Sequence, residues 1–471
     1  MKKYSVFIIS MIISFALQAQ NIPSELAGTW MGKLNVGYEL RIVFHFEIYD
    51  DTIYTLLDSP DQGVNDIPTS STSYQNGEII IDIPIIKATY KGTYSQTTKT
   101  ITGTFTQNFA LPLNLEKTDS VAPVKRPQTP IEPFPYKTEE IKFENKNADS
   151  VILAGTLTIP SGEGPFKAVV LVTGSGPQDR NESILGHAPF WVLADYLSRN
   201  NIIVLRYDDR GIGASTGDYS HATSADFATD ANAAVNYLIS RKEELHISQI
   251  GIAGHSEGGL ITPLAASQNK NADFIVMMAG PGIPGDSILN LQGNLIAKAD
   301  GMNDSIVDYF MKLRRQMMDI VKNETSIETM KLKIIAANKS FLSSTPQYIL
   351  DQIGFSKDDT LTGVDFYANN WMKYFISYDP RIILEKTKIP VLAINGTKDL
   401  QVPYEENLHA IETSLEIAHN KNYKIVQAEG LNHLFQKCNS CTVTEYAQLE
   451  ETFNTGAMKI IADWILELDK K

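Results

Sequence analysis

Residues 250–261 read Ile250-Gly251-Ile252-Ala253-Gly254-His255-Ser256-Glu257-Gly258-Gly259-Leu260-Ile261. An apolar run leads straight into a Gly-x-Ser-x-Gly turn, and small and apolar residues leave it. The first part reads as a buried strand and the second as the start of a helix. A serine on such a sharp turn has its hydroxyl lifted clear of the sheet, and any side chain at Gly254 or Gly258 would crowd it. The same five-residue pattern recurs at Gly213-Ala214-Ser215-Thr216-Gly217. There Asp208-Asp209-Arg210-Gly211 separates the serine from the preceding apolar run, and polar residues follow, so Ser215 reads as loop.

Outward from this turn the chain alternates. Ala168–Val172, Ile202–Tyr207, Phe274–Met278, Ile389–Ile394 and Tyr423–Gln427 are apolar strand-like runs. Pro189–Ser198, Ser224–Ser240 and Glu257–Ala266 have helical spacing, and Thr444–Leu468 is expected to close the chain as one helix. Glu139–Phe143 and Val151–Ile159 open the region as a β pair. Continuous apolar strands separated by helices predict a mostly parallel sheet covered on both faces. Residues 285–385 break the rhythm with helical patterns and no strand, which predicts a helical lid inserted after a core strand.

Residues 20–118 differ in kind. Glu39–Tyr49, Glu78–Ile83, Thr89–Ser95 and Thr100–Gln107 alternate in the manner of strands, predicting a small all-β barrel or sandwich. Pro123, Pro127, Pro130, Pro133 and Pro135 then mark residues 119–138 as a stiff linker to a catalytic domain spanning 139–471. Residues 1–19 carry Lys2 and Lys3, an apolar run from Val6 to Leu17 and the small Ala19, the pattern of a cleaved secretory signal peptide. The mature chain is therefore expected to be exported to a periplasmic or extracellular compartment, with no membrane span after signal removal. There Cys438 and Cys441 can form a local disulfide.

A serine is a poor nucleophile until a base takes its proton. Of eight histidines, His409, His419 and His433 lie well after Ser256. The first two fall in or at the end of a helix. His433 follows the last strand in Glu429-Gly430-Leu431-Asn432-His433, where a loop can reach the serine. The acid expected to orient it is Asp399, in the turn Asn395-Gly396-Thr397-Lys398-Asp399 after the preceding strand. The oxyanion of an acyl-transfer intermediate needs two donors. They are assigned to the amide of Glu257 and the amide of Ser175, with Gly176 as the alternative, in the loop Thr173-Gly174-Ser175-Gly176-Pro177-Gln178-Asp179-Arg180. Asp179, Arg180, Asp208, Asp209 and Arg210 are read as ion pairs and buttresses of the neighbouring loops.

Taken together, Gly174-Ser175-Gly176-Pro177-Gln178-Asp179-Arg180, Asp208-Asp209-Arg210-Gly211-x-Gly213, Gly254-His255-Ser256-Glu257-Gly258-Gly259, Gly396-x-x-Asp399 and Leu431-Asn432-His433 resemble two-domain bacterial carboxylesterases of the EstD type. These form a serine-aminopeptidase-like branch of the α/β-hydrolases. The resemblance runs over about 125–471. It implies the α/β-hydrolase fold, the triad Ser256, Asp399 and His433, and hydrolysis of small short-chain acyl esters without metal or cofactor. Cys438 and Cys441 are not part of that pattern. The rival readings are a peptidase or aminopeptidase with the same triad, and a non-enzymatic protein whose β-domain captures a ligand. A net charge of −14 disfavours nucleic acid and anionic membrane surfaces as partners.

Overall fold

The apolar runs become the centre of one eight-stranded sheet, whose strands are numbered here in chain order. They are β1 (Tyr136–Glu144), β2 (Ile152–Pro160), β3 (Phe166–Val172), β4 (Ile202–Tyr207), β5 (Ile247–His255), β6 (Phe274–Met278), β7 (Val391–Gly396) and β8 (Tyr423–Ala428). Their spatial order is β1-β2-β4-β3-β5-β6-β7-β8. β1 and β2 pair antiparallel, β2 runs antiparallel to β4, and every later pairing is parallel. β3, β4 and β6 are buried along their whole length, because helices cover both faces. One face packs on Ser224–Ser240, Glu257–Gln268 and Tyr404–Ile417, the other on Pro189–Arg199 and Thr455–Glu467. This is the strand order and layering of an α/β-hydrolase.

The computed structural model describes residues 22–468 except 37, 38, 51, 108 and 123. The expected signal peptide, residues 1–19, lies outside the described residues. The chain divides into two units, Met1–Pro123 and Val124–Lys471. The first unit is all-β, with antiparallel strands between Gly28 and Thr118 around Trp30, Phe44, Tyr90 and Ile101. Gly92 and Gly103 face each other across two of its strands. Both leave room for a neighbouring ring: a Cβ at Gly103 would sit 2.5 Å from the Tyr90 hydroxyl.

Two expectations need correction. The linker is shorter than 119–138, because its side chains dock on the second unit. Arg126 donates to the carbonyls of Leu185, Gly186, Ala447 and Leu449, and Gln128 Nε2 to that of Phe453. β1 also begins at Tyr136, inside the expected linker. The closing helix is not continuous from 444. Val443–Gln448 forms a 3-10 turn, and the helix starts at Thr455, where the Asn454 side chain accepts the amides of Gly456 and Ala457 as an N-cap.

The inserted segment contains the helices Gly285–Ala299, Asp304–Asn323, Ile327–Ser344 and Asn370–Ser377, among shorter ones. Their shared core includes Leu260, from the helix that follows Ser256, and Val402, from the loop that follows Asp399. Among the described residues no helix is long and apolar enough to cross a membrane.

Candidate active site

Four loops at the carboxyl ends of β3, β5, β7 and β8 carry the candidate residues. Adjacent parallel strands leave their loops side by side, which is why residues far apart in the chain meet here. Ser256 follows β5 with φ 54° and ψ −121°, a conformation rare for a side-chain-bearing residue. It precedes the helix Glu257–Gln268, whose first amides have no intrahelical acceptor and point toward it. The turn closes only with glycine around it. A Cβ at Gly254 would lie 2.0 Å from the Gly258 carbonyl, and one at Gly258 2.1 Å from that of Val172. Gly174, in the loop after β3, approaches Ser256 so closely that a Cβ there would meet the serine Cβ at 3.2 Å. This brings the Gly174–Ser175 backbone against the serine.

Asp399 and His433 are both buried, and His433 Nδ1 donates to Asp399 Oδ2 at 2.7 Å. The other carboxylate oxygen accepts the amides of Gln401 (2.8 Å) and Val402 (2.9 Å), so the acid is fixed on both sides. Gly396 acts through close approach: a Cβ there would sit 2.2 Å from the Leu431 carbonyl, in the loop that carries His433. That loop is wound around Asn432, whose Oδ1 accepts the amides of Leu434 and Gln436 while Nδ2 donates to Gln436 Oε1.

His255 ties the serine turn to the histidine loop. Its Nε2 donates to the His433 carbonyl at 2.9 Å, and its Nδ1 donates to Glu182 Oε1 at 2.9 Å. The two imidazole rings lie 4.8 Å apart. Acceptors at both nitrogens favour the protonated form of His255. Burial opposes that charge, but the Glu182 carboxylate outweighs it and raises the pKa above the ordinary histidine value. Glu182 Oε1 also accepts the Gly174 amide, joining the loop after β3 to the same pair. The Ser256 hydroxyl is half-buried and has no hydrogen-bond partner among the described residues.

Two carboxyl groups beside the site are perturbed. Burial pushes Glu257 up to about 7, against the pull of its donors, Ser224 Oγ and Trp371 Nε1. Trp371 belongs to the inserted helical segment. Burial pushes Asp209 up to about 8. Asp209 is not the ion-pair member expected: Thr173 Oγ1 donates to one oxygen and the Gln178 amide to the other, strapping the two ends of the Gly174–Ser175 loop. Asp208 does pair with Arg180, and Arg210 with Asp230. Ser215 is consumed structurally, its hydroxyl donating to the Asp208 carbonyl and accepting the Ala154 amide.

Cys438 and Cys441 form a disulfide just past His433. Glu445 holds the same loop by accepting the amides of Asn439 and Cys441 and the Ser440 hydroxyl. A cleft of about 450 Å³ borders Asp399 and is walled by Leu295 of the insertion and by Asn439, Ser440 and Cys441. No group of His, Cys, Asp or Glu among the described residues is placed to hold a metal ion.

The family described as serine aminopeptidase, S33, matches residues 190–450, which include Ser256, Asp399 and His433. The chain belongs to that family. Esterase EstD of Thermotoga maritima is 30% identical over 301 residues, covering 64% of this chain and 62% of that protein; the chain thus spans less than two thirds of its relative's length. Among solved structures, an esterase from Pyrococcus furiosus matches with a TM-score of 0.41 and 15% identity over 70% of this chain and 93% of that one. Est1E from Butyrivibrio proteoclasticus matches with a TM-score of 0.39 and 16% identity over 70% and 99%. Within this S33 chain, sequence reasoning gave no role to Glu182, Asn432 or Trp371. Of these, only Glu182 left a signal, as an acid shortly after the Gly-rich loop.

Proposed function

We propose that this S33-family chain is a serine carboxylesterase acting on short-chain esters through Ser256, His433 and Asp399. The observation that carries the reading is the buried Asp399–His433 hydrogen bond, with His255 joining the His433 loop to the strained strand-to-helix turn of Ser256. His433 uses Nε2, the nitrogen opposite the Asp399 bond, to take the Ser256 proton as Oγ attacks the ester carbonyl. The Ser256–His433 hydrogen bond is then made in the substrate complex, as is common for catalytic contacts that are long without substrate. The oxyanion receives the amides of Glu257 and Ser175. The alcohol departs with the proton from His433, and water, activated by the same imidazole, releases the acid. The inserted helices serve as the lid, since their core includes Leu260 from the helix after Ser256 and Val402 from the loop after Asp399. The Thermotoga relative's name supports esters; the family's description keeps aminoacyl amides as the second reading.

Parallel assays on p-nitrophenyl esters and aminoacyl anilides separate the two, with esters expected to turn over faster. Ser256→Ala is expected to lower kcat on the ester by on the order of 10⁵–10⁶ and to abolish labelling by a fluorophosphonate. Ester hydrolysis that survives this substitution removes the mechanism. Export is part of the proposal, supported by the Lys2-Lys3 start, the apolar run and the disulfide. Detection of the mature chain only inside the cytoplasm would overturn it.

A further inference from the structure

A second cluster of chemistry lies away from Ser256, on the sheet face covered by the helix Pro189–Arg199. A groove of about 370 Å³ opens there beside β1 and β2, lined among others by Phe134, Tyr136, Thr138, Trp191 and Arg206. Arg206, near the end of β4, is only 6% exposed. Its Nη1 donates to Asn181 Oδ1, but its Nε–H is buried with no acceptor. No carboxylate among the described residues forms an ion pair with it. Burial accordingly lowers its pKa to about 10.

The acids around the groove are engaged elsewhere. Asp208 and Glu140 both pair with Arg180, and Asp195 accepts the Tyr136 hydroxyl and Arg199 Nε. A buried guanidinium without a counter-charge is costly unless something supplies one. Arg206 Nη2 makes no hydrogen bond among the described residues and remains a charged donor for an oxygen of a carboxylate. The lining also holds Glu140 and Arg180, which pair with each other, and an aromatic wall of Phe134, Tyr136 and Trp191. Arg206 lies over the Trp191 ring at 5.9 Å, and the rings of Phe134 and Tyr136 stack at 5.3 Å and 2°. The exposed Thr138 adds a polar edge.

We propose that this groove is a second binding site, taking a single-ring aromatic carboxylate whose carboxylate pairs with Arg206 and whose ring lies against the aromatic wall. The site stands on its own residues and does not depend on the ester chemistry proposed for Ser256. Its size suits one ring bearing one acid group.

The test is calorimetric titration of the full chain with benzoate, benzamide and inorganic phosphate. Benzoate is expected to bind saturably, with benzamide and phosphate weaker by about tenfold or more, since one lacks the charge and the other the ring. Arg206→Lys keeps the charge but loses the fork and is expected to weaken benzoate by about tenfold. Thr138→Glu, at an exposed strand position, places a like charge at the groove mouth and is expected to do the same without touching the core. Equal binding of benzoate and benzamide, tighter binding of phosphate, or unchanged benzoate affinity in folded Thr138→Glu protein would each overturn the assignment. The contrast among the three ligands needs no variant, so it holds even where Arg206→Lys fails to fold.

Discussion

At the scale of single residues, the site's chemistry is set by burial. Glu257 stands directly after Ser256, yet its carboxyl is turned inward onto Ser224 and Trp371. Its pKa rises from 4.5 to about 7 on burial. The folded protein therefore keeps a proton that the unfolded chain releases, and stability must fall as pH climbs from about 4.5 to about 7 and then level off. Glu257→Gln preserves the acceptor oxygen and removes the titration. The variant is expected to match the wild type near pH 4 and to exceed it by up to about 3 kcal/mol above pH 7. Denaturant melts across that range check this, and parallel curves for the two proteins would refute it. The places of Ser256, Asp399 and His433 just after strands could be read from the sequence, because each follows an apolar run. Glu182 could not be paired with His255, nor His255 with the His433 carbonyl 178 residues later, because the contacts exist only once the loops after β3, β5 and β8 are side by side.

At the scale of elements, loops that each follow an ordinary strand are brought into register by missing side chains. Gly396 reads as a turn residue in the sequence; in the fold it is a contact surface between the Asp399 and His433 loops. Gly396→Ala drives a methyl into the carbonyls of Leu431 and Asn432, 2.2 Å and 2.7 Å away, and must push the loops apart. A displacement of the Asp399–His433 pair by about 1 Å is expected to lower kcat on a small ester by about 10²-fold, with little change in KM. Gly430→Ala is the matched control. Gly430 has φ +73°, so alanine is strained, but nothing lies within 4 Å of the new methyl. It is expected to cost stability by about 1 kcal/mol and to leave kcat close to wild type. Steady-state kinetics on the two variants decide the matter; similar kcat losses in both would mean that backbone strain, not loop contact, sets the geometry. Strand and helix positions were readable from apolar periodicity. The break before Thr455 was not, because it depends on Asn454 capping and on Phe435 accepting the Asn454 amide, contacts outside any local pattern.

At the scale of the molecule, the change from alternating strands to strand–helix repeats announced two units, and their hydrophobic cores share no residue. The position of the boundary was hidden by proline. A Pro-rich stretch states how the backbone prefers to run, and says nothing of where its other side chains dock. Arg126 reaches four backbone carbonyls on two loops of the second unit, and Gln128 Oε1 accepts the amides of Thr452 and Phe453. These contacts close the segment between the last 3-10 turn and the final helix. Two truncations therefore separate what the sequence merges. A chain of residues 124–471 is expected to unfold cooperatively and to hydrolyse p-nitrophenyl esters within about threefold of the full chain, since its core is self-contained. A chain of residues 139–471 loses the Arg126 and Gln128 contacts, the start of β1 and the Tyr136–Asp195 bond. At roughly 1 kcal/mol net for each hydrogen bond, it is expected to be less stable than the longer fragment by about 3 kcal/mol or more. Urea melts of the two fragments measure the difference directly. Equal midpoints would mean that residues 124–138 are a free tether after all, and that the second unit begins where the proline-based reading put it.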